Sequence, residues 1–289
     1  MDFISDYKHN PVYRKSFSAL AVTTFGIDFE TWYAKGFWHD NYICYSYADG
    51  DKVAANISVN KMHLILDGKR EEAIQIGTVM THPDFQKRGL SRDLMEKVLA
   101  DYEREYGLFY LLANKHVVDF YPRFGFKPRE QHSFSYTFPE RVSSHGSGRF
   151  LDIAGRDDLA LIMNQSAGRT PVSRVFGFEH AEYILMFHAC HGFGDSLYYL
   201  ERAKAIVIYQ QEDETIHLYD VIAADTPCFA DIVRMIKLNN ARRAVFHFTP
   251  DLLNVQAESR LYETEDVLFI RTAGPFVKGE FKYPTIAEA

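Results

Sequence analysis

The sequence predicts a mixed α+β fold: a central mixed, largely antiparallel sheet flanked by helices, followed by a second, smaller α+β unit. Three observations predict it. Asp49-Gly50 and Asp67-Gly68 each separate two runs rich in alternating apolar residues, which is the signature of consecutive β-hairpins. After residue 81 the apolar period changes from two to roughly three and a half, so a sheet segment gives way to a helix. From Phe150 onward a related order of helix, strand pair, helix and strand returns without visible identity of residues.

Taken in order, Asn10 and Pro11 open a helix expected to reach about Phe25, and a short helix is expected over about Phe29 to Phe37. The two hairpins follow, the last strand running from about Ala73 to Thr81. Leu90, Leu94, Val98, Leu99, Tyr102 and Tyr106 then line one helical face, with Gly107 as the expected C-cap. "LFYLLA", residues 108–113, is nearly all apolar and reads as a buried strand. A brief helical stretch ends at "RFGF", and "QHSFSYTF" alternates as a strand. The Ser- and Gly-rich "RVSSHGSGRF", residues 141–150, reads as a linker, which divides the chain into domains at 1–142 and 149–289. Beyond it, helices are expected over 157–167, 180–191 and "FADIVRMIKL". Strands are expected in "AKAIVIYQQEDETIHLYDVIAA", "RRAVFHFTPD" and "DVLFIRTAG".

Composition excludes several classes. A net charge of −7 argues against broad nucleic-acid binding, which needs a basic face to neutralise phosphates. Cys44, Cys190 and Cys228 are odd in number and far apart, giving neither a disulfide framework nor a paired metal motif, so a reducing cytoplasm is expected. "MDFISDYKHN" lacks the pattern of a secretory leader, no stretch is apolar enough to span a membrane, and the protein reads as soluble. His188, Cys190 and His191 in "FHACHGFGD" crowd too closely to converge on one tetrahedral ion, and no metal is expected.

The chemistry-bearing stretch is "HPDFQKRGLSRDLMEKVL", residues 82–99. The first amides of a helix have no carbonyl partner and the helix dipole makes that end partly positive, so an anion is favoured there. Gly89 keeps the backbone open, Ser91 keeps the next turn small, and Lys87, Arg88 and Arg92 add positive charge. The stretch lacks the GK[ST] of a P-loop and the GxGxxG of a dinucleotide site.

"IGTVMTHPDFQKRGLSRDLM" resembles the acyl-CoA-binding core of the GCN5-related N-acetyltransferases (GNAT), whose loop is Q/R-x-x-G-x-G/A; Gln86, Gly89 and Ser91 stand at its positions, with Ser in place of Gly or Ala. "NKHVVDFYPRFGF", residues 114–126, resembles the family's second element through Asn114, Tyr121, Gly125 and Phe126. The resemblance covers about residues 1–140. It implies a GNAT-like sheet and transfer of an acetyl group from acetyl-CoA to the primary amine of a small molecule in a ternary complex. It implies that backbone groups of Val79, Met80 and Thr81 pair with the pantetheine arm, with the Val79 N–H polarising the thioester carbonyl. Amides of Lys87, Arg88, Gly89, Leu90, Ser91 and Arg92 would hold the pyrophosphate, Asn114 would steady the pantetheine, and Tyr121 would be the general acid. Pro122 biases Tyr121 away from helical geometry.

The base is open. Members that acetylate protein lysines often carry a Glu on the central strand, where this chain has Gln75; Glu71, Glu72 and His82 are other candidates acting through water, each read first as a solvated hairpin or loop residue. The second unit resembles a degenerate GNAT-like domain, as in the tandem members of the enhanced intracellular survival type: "IHLYDVIAADTPCFADIVRMI" has no glycine at the turn and carries Asp225. In that tandem type the free C-terminal carboxylate can reach the active site, and "FKYPTIAEA" could bring it there. The rings of Phe37, Trp38, Tyr42, Tyr45 and Tyr47 read as core first and as an acceptor wall second. The alternative function is a catalytically weak CoA-binding sensor or scaffold. A homo-oligomer is compatible with the sequence; a nucleic-acid or membrane partner is not expected.

Overall fold

The computed structural model describes residues 1–288. The chain begins with β1 (Asp2–Ser5), α1 (Pro11–Phe25) and α2 (Glu30–Ala34), continues through β2 (Tyr42–Asp49), β3 (Lys52–Leu66) and β4 (Lys69–Thr81), and enters α3 (Leu90–Tyr102) before β5 (Leu108–Asn114), β6 (Lys127–Arg129) and β7 (His132–His145). The second half holds β8 (Arg149–Phe150), α4 (Arg156–Ala167), β9 (Phe176–Glu179), α5 (Glu182–His188), β10 (Leu197–Leu200), β11 (Ala205–Glu212), β12 (Thr215–Ile222), α6 (Phe229–Met235), β13 (Lys237–Phe246), β14 (Glu258–Leu261) and β15 (Asp266–Thr272). No helix is long and apolar enough to cross a membrane among the described residues.

Local chemistry sets the early elements. The Asn10 side chain accepts hydrogen bonds from the Val12 and Tyr13 amides, Pro11 needs no partner in the first turn, and Gly26 closes α1 at a φ of 73°. The β3–β4 turn puts Asp67 and Gly68 at φ of 48° and 76°, the pair of left-handed residues that a tight hairpin demands. Leu94, Met95, Val98, Leu99 and Tyr102 of α3 are buried against Ile57, Ile74, Ile76, Phe109 and Leu111 of the first sheet. Each such side chain contributes about 1.5–3 kcal/mol on burial. The helix stops at Tyr102, short of Gly107: the Tyr106 amide turns back to the Tyr102 carbonyl at 2.9 Å, and Gly107 lies in the bend that leads into β5.

Two sheets share one strand order. The first runs β1-β2-β3-β4-β5-β15-β6, with β9 also pairing β3; the second runs β8-β10-β11-β12-β13-β7-β14. In both, four strands are antiparallel, the fourth and fifth are parallel across a helix, and the next pairs are antiparallel again. The sixth strand of each sheet comes from the other half of the chain. β15 lies against β5 over seven residue pairs, Asp266–Asn114 to Thr272–Leu108, while β7 lies against β13.

This exchange corrects the expected linker. Residues 141–145 continue β7, and the sheets do not divide at residue 142. The small residues there serve close contact: a Cβ on Gly146 would meet the Tyr198 hydroxyl at 2.3 Å, and one on Gly148 would meet the Tyr199 carbonyl at 2.1 Å. The expected helix over 229–238 is also shorter. Ile236 is already extended at ψ 156°, and Lys237 begins β13. The other face of the first sheet packs, with α1, α2 and α5, into the core it shares with the second sheet, and the Trp32 indole donates to the Tyr183 carbonyl at 2.8 Å.

Candidate active site

Parallel strands β4 and β5 are in register only at Ile74–Phe109 and Gln75–Tyr110; beyond that they separate. At the same level β4 bulges. Gly77 pairs Ser58 and Met80 pairs Asn56, leaving Thr78 and Val79 opposite Ile57 alone. Thr78 takes a φ of 47°, a conformation that costs a β-branched residue on the order of 1–3 kcal/mol. Buried Asn56 holds it there, donating from Nδ2 to the Thr78 carbonyl at 2.9 Å, while the Tyr42 and Thr78 hydroxyls lie 2.6 Å apart. The peptide bond is trans, so the Val79 N–H points opposite to the Thr78 carbonyl, away from Asn56 and into the gap. The His82 amide bonds the Ala54 carbonyl at 2.9 Å, which by alternation turns the Met80 amide toward β3 and the Thr81 amide away from it. Val79 and Thr81 can therefore offer backbone groups to a ligand. Met80 does not: its amide faces the ladder and its side chain is buried in the core.

The predicted anion loop follows. A 3-10 turn, Pro83–Phe85, leads through extended Gln86 to Lys87 at φ 62° and Gly89 at φ 80°, where α3 starts without a side-chain cap. Nothing lies within 4 Å of where a Cβ on Gly89 would stand, so the backbone angle demands the glycine and the space before the helix is open. The Ser91 hydroxyl meets that of Thr81 at 2.8 Å, and Gln86 Nε2 donates to the Thr81 carbonyl at 3.4 Å. Arg88 folds back, donating to the Asp84 carbonyl at 2.8 Å and stacking over Phe85, whereas exposed Lys87 and Arg92 form no ion pair among the described residues. Uncapped amides, an open approach and two unpaired cations fit a pyrophosphate.

The gap between β4 and β5 widens into a cavity of about 620 Å³ lined by Val79, Asn114 and Tyr121 and closed by Phe29, Phe187 and Glu288. Hollows of about 780 and 670 Å³ elsewhere contain none of the predicted site residues. Tyr121 is buried beside Phe120 and Phe269, its hydroxyl has no hydrogen-bond partner among the described residues, and burial pushes its pKa up to about 12. Contrary to the bias expected from Pro122, Tyr121 opens a 3-10 turn, Tyr121–Phe124, in which the proline takes an early position needing no amide. Asn114 caps the preceding turn, its Oδ1 accepting from the His116 amide at 3.0 Å.

The model of the acetyltransferase (GNAT) domain matches residues 12–129. Those residues belong to the GNAT family. No curated protein matches the chain. Among solved structures, a conserved protein of unknown function from Enterococcus faecalis V583, labelled a probable N-acyltransferase, is 14% identical with a TM-score of 0.60, covering 94% of this chain and 72% of its own. Eis1 from Mycobacterium abscessus is 16% identical, with a TM-score of 0.58 and coverages of 94% and 74%. A GCN5-related N-acetyltransferase from Kribbella flavida is 14% identical, with a TM-score of 0.56 and coverages of 94% and 72%. At these identities the likeness concerns the fold, and it extends over both sheets of the chain.

Several side chains that line this cavity escaped the sequence. Glu71 and Glu72 lie at the hairpin end of β4, roughly 25 Å along the strand from Val79, and His82 Nδ1 accepts from the Asp84 amide at 3.3 Å; none lines the cavity. Gln75 does line it, 1% exposed, accepting from Asn60 Nδ2 at 3.0 Å and donating to the Tyr283 hydroxyl at 2.9 Å. Glu288 and His188 enter from far along the chain. His188 Nε2 donates to the Glu288 carbonyl at 2.7 Å, and desolvation pushes the imidazole down to about 4. Burial first, then Asp266, raises the Glu288 carboxyl to about 7. The C-terminal carboxylate belongs to Ala289, outside the described residues. None of Phe37, Trp38, Tyr42, Tyr45 and Tyr47 lines this cavity; Phe25, Phe29 and Phe187 supply aromatic walls beside Tyr121.

Proposed function

We propose that the chain transfers an acetyl group from acetyl-CoA to a primary amine of a small molecule. The observation that carries this is the Val79 N–H, turned out of the β4 ladder by a strained, hydrogen-bonded bulge and sharing one cavity with the Tyr121 hydroxyl. Acetyl-CoA would supply a thioester whose carbonyl becomes more basic as the amine attacks. Val79 N–H would donate to that oxygen, a contribution that strengthens only as charge develops. The amides from Lys87 to Arg92 would hold the pyrophosphate, with Lys87 and Arg92 neutralising it, and Asn114 Nδ2, not used in the cap, would steady the pantetheine. Tyr121 would protonate the departing sulfur; a high pKa keeps its proton in place at neutral pH.

The second unit reads as a degenerate GNAT-like domain without cofactor. Its corresponding gap, beyond the Leu218–Phe246 pair, holds Asp220, fully buried and clamped at 2.6 Å by both Arg169 Nη atoms. The reading takes the protein as cytoplasmic, with no nucleic-acid or membrane partner, and self-association is checked by light scattering. The test is thermal stabilisation by acetyl-CoA followed by thiol release with a panel of small amines. Stabilisation and turnover are expected together. Stabilisation without turnover on any amine would replace the enzyme by a CoA-binding sensor, and absence of both would sink the reading.

A further inference from the structure

We infer that the segment 281–288 carries Glu288 into the cavity as the general base, and that Gln75, Tyr283 and His188 are positioning residues that latch it there. The inference rests on the acetyl-transfer reading above.

The latch is a continuous chain of hydrogen bonds from the sheet to the segment. Tyr183 of α5 donates to Asn60 Oδ1 at 2.6 Å, and Asn60 Nδ2 donates to Gln75 Oε1 at 3.0 Å. That fixes the Gln75 amide, so Nε2 faces the Tyr283 hydroxyl at 2.9 Å; the hydroxyl in turn donates to the Ala287 carbonyl at 2.6 Å. The next carbonyl, of Glu288, accepts from His188 Nε2, and because a carbonyl only accepts, Nε2 bears the imidazole proton. Ile286 and Ala287 are fully buried and anchor the segment by packing.

With two consecutive carbonyls held, the Glu288 side chain is left at the cavity, where its carboxyl makes no hydrogen bond or ion pair among the described residues. Asp266 of β15, His188 of α5, and Lys282 and Tyr283 of its own segment are the titratable groups around it. Burial and Asp266 outweigh Lys282, leaving a carboxyl that titrates at about 7, well matched to accept a proton from an amine near neutrality. The position that holds a strand carboxylate in lysine-acetylating members thus holds a glutamine that orients a carboxylate from elsewhere.

The acceptor ammonium gives one proton to a Glu288 carboxylate oxygen, directly or through one water, and the freed lone pair forms the C–N bond as the C–S bond breaks. Sulfur leaves with the Tyr121 proton, the second nitrogen proton restores Tyr121, and Glu288 releases its proton to solvent.

The experiment measures kcat, KM and their pH dependence with the full chain and an amine acetylated by the wild type. Glu288→Gln should lower kcat about 10²–10⁴-fold, abolish the limb rising through about pH 7, and leave stabilisation by acetyl-CoA unchanged. Glu288→Asp should keep the limb at reduced kcat. Tyr283→Phe should lower kcat about tenfold and move the limb without changing the KM for acetyl-CoA, an effect within the reach of a small misplacement of a catalytic group. His188→Gln, which keeps a donor, should restore most of what His188→Leu loses. Wild-type kcat and pH profile in Glu288→Gln would overturn the inference alone. A Tyr283→Phe variant that lost only thermal stability would overturn the latch, and a wild type inactive on every amine would overturn the underlying function as well.

Discussion

Thr78 and Glu288 are both held in states the isolated residues disfavour, and both face the same cavity. A branched residue at positive φ and a carboxyl desolvated up to about 7 each lower the stability of the fold, and neighbouring hydrogen bonds hold them in place. The folded pKa of Glu288 lies above the ordinary 4.5, so its stability is fully present below about pH 4.5 and is lost as pH rises through 7. Thermal melts of Glu288→Gln against wild type should therefore show an advantage for the variant that grows from pH 4.5 to 7 and is flat above. His188 acts in the opposite direction, with stability present above about 6.5 and lost toward 4. Tyr121→Phe should reduce kcat about 10²–10⁴-fold with little change in affinity for acetyl-CoA. Equal turnover would remove Tyr121 as the acid.

At the level of elements, α3 and its entrance combine two requirements on one glycine. Gly89 needs a left-handed backbone, and its first-turn amides need an open approach. Gly89→Glu adds about 1–2 kcal/mol of backbone strain, yet its carboxylate lies at a favourable helix end. The variant should stay folded by circular dichroism and lose stabilisation by acetyl-CoA; retained stabilisation would remove the loop as the pyrophosphate site. This entrance was legible in the sequence, as were the α1 cap at Asn10 and the turns at Asp49-Gly50 and Asp67-Gly68, because each is written in a few adjacent residues. Glu288, His188 and the place of β15 beside β5 were not legible. Their meaning depends on pairing with residues a hundred or more positions away, and nothing local announces it. The Ser and Gly residues of 143–148 misled for another reason: small residues mark a free linker and a close contact alike, and here they admit Tyr198 and Tyr199.

Over the whole molecule, the exchanged strands make the halves mutually dependent. A fragment of residues 1–142 would lose β15 from between β5 and β6, exposing the β5 edge together with the surface that Phe269 covers, and would leave β7 without β13. Such a fragment should aggregate or show no cooperative melt, and co-expression with 149–289 should restore a soluble complex. An independently folding 1–142 would contradict the strand exchange.

The same exchange imposes an order in time. During synthesis the loop at the α3 entrance leaves the ribosome about 175 residues before the strand that joins β5 in its own sheet, and Glu288 later still. The nascent chain must shelter the unpaired β5 edge through that interval, and a ribosome that stalls in the second half releases a polypeptide that has every loop residue yet no assembled site.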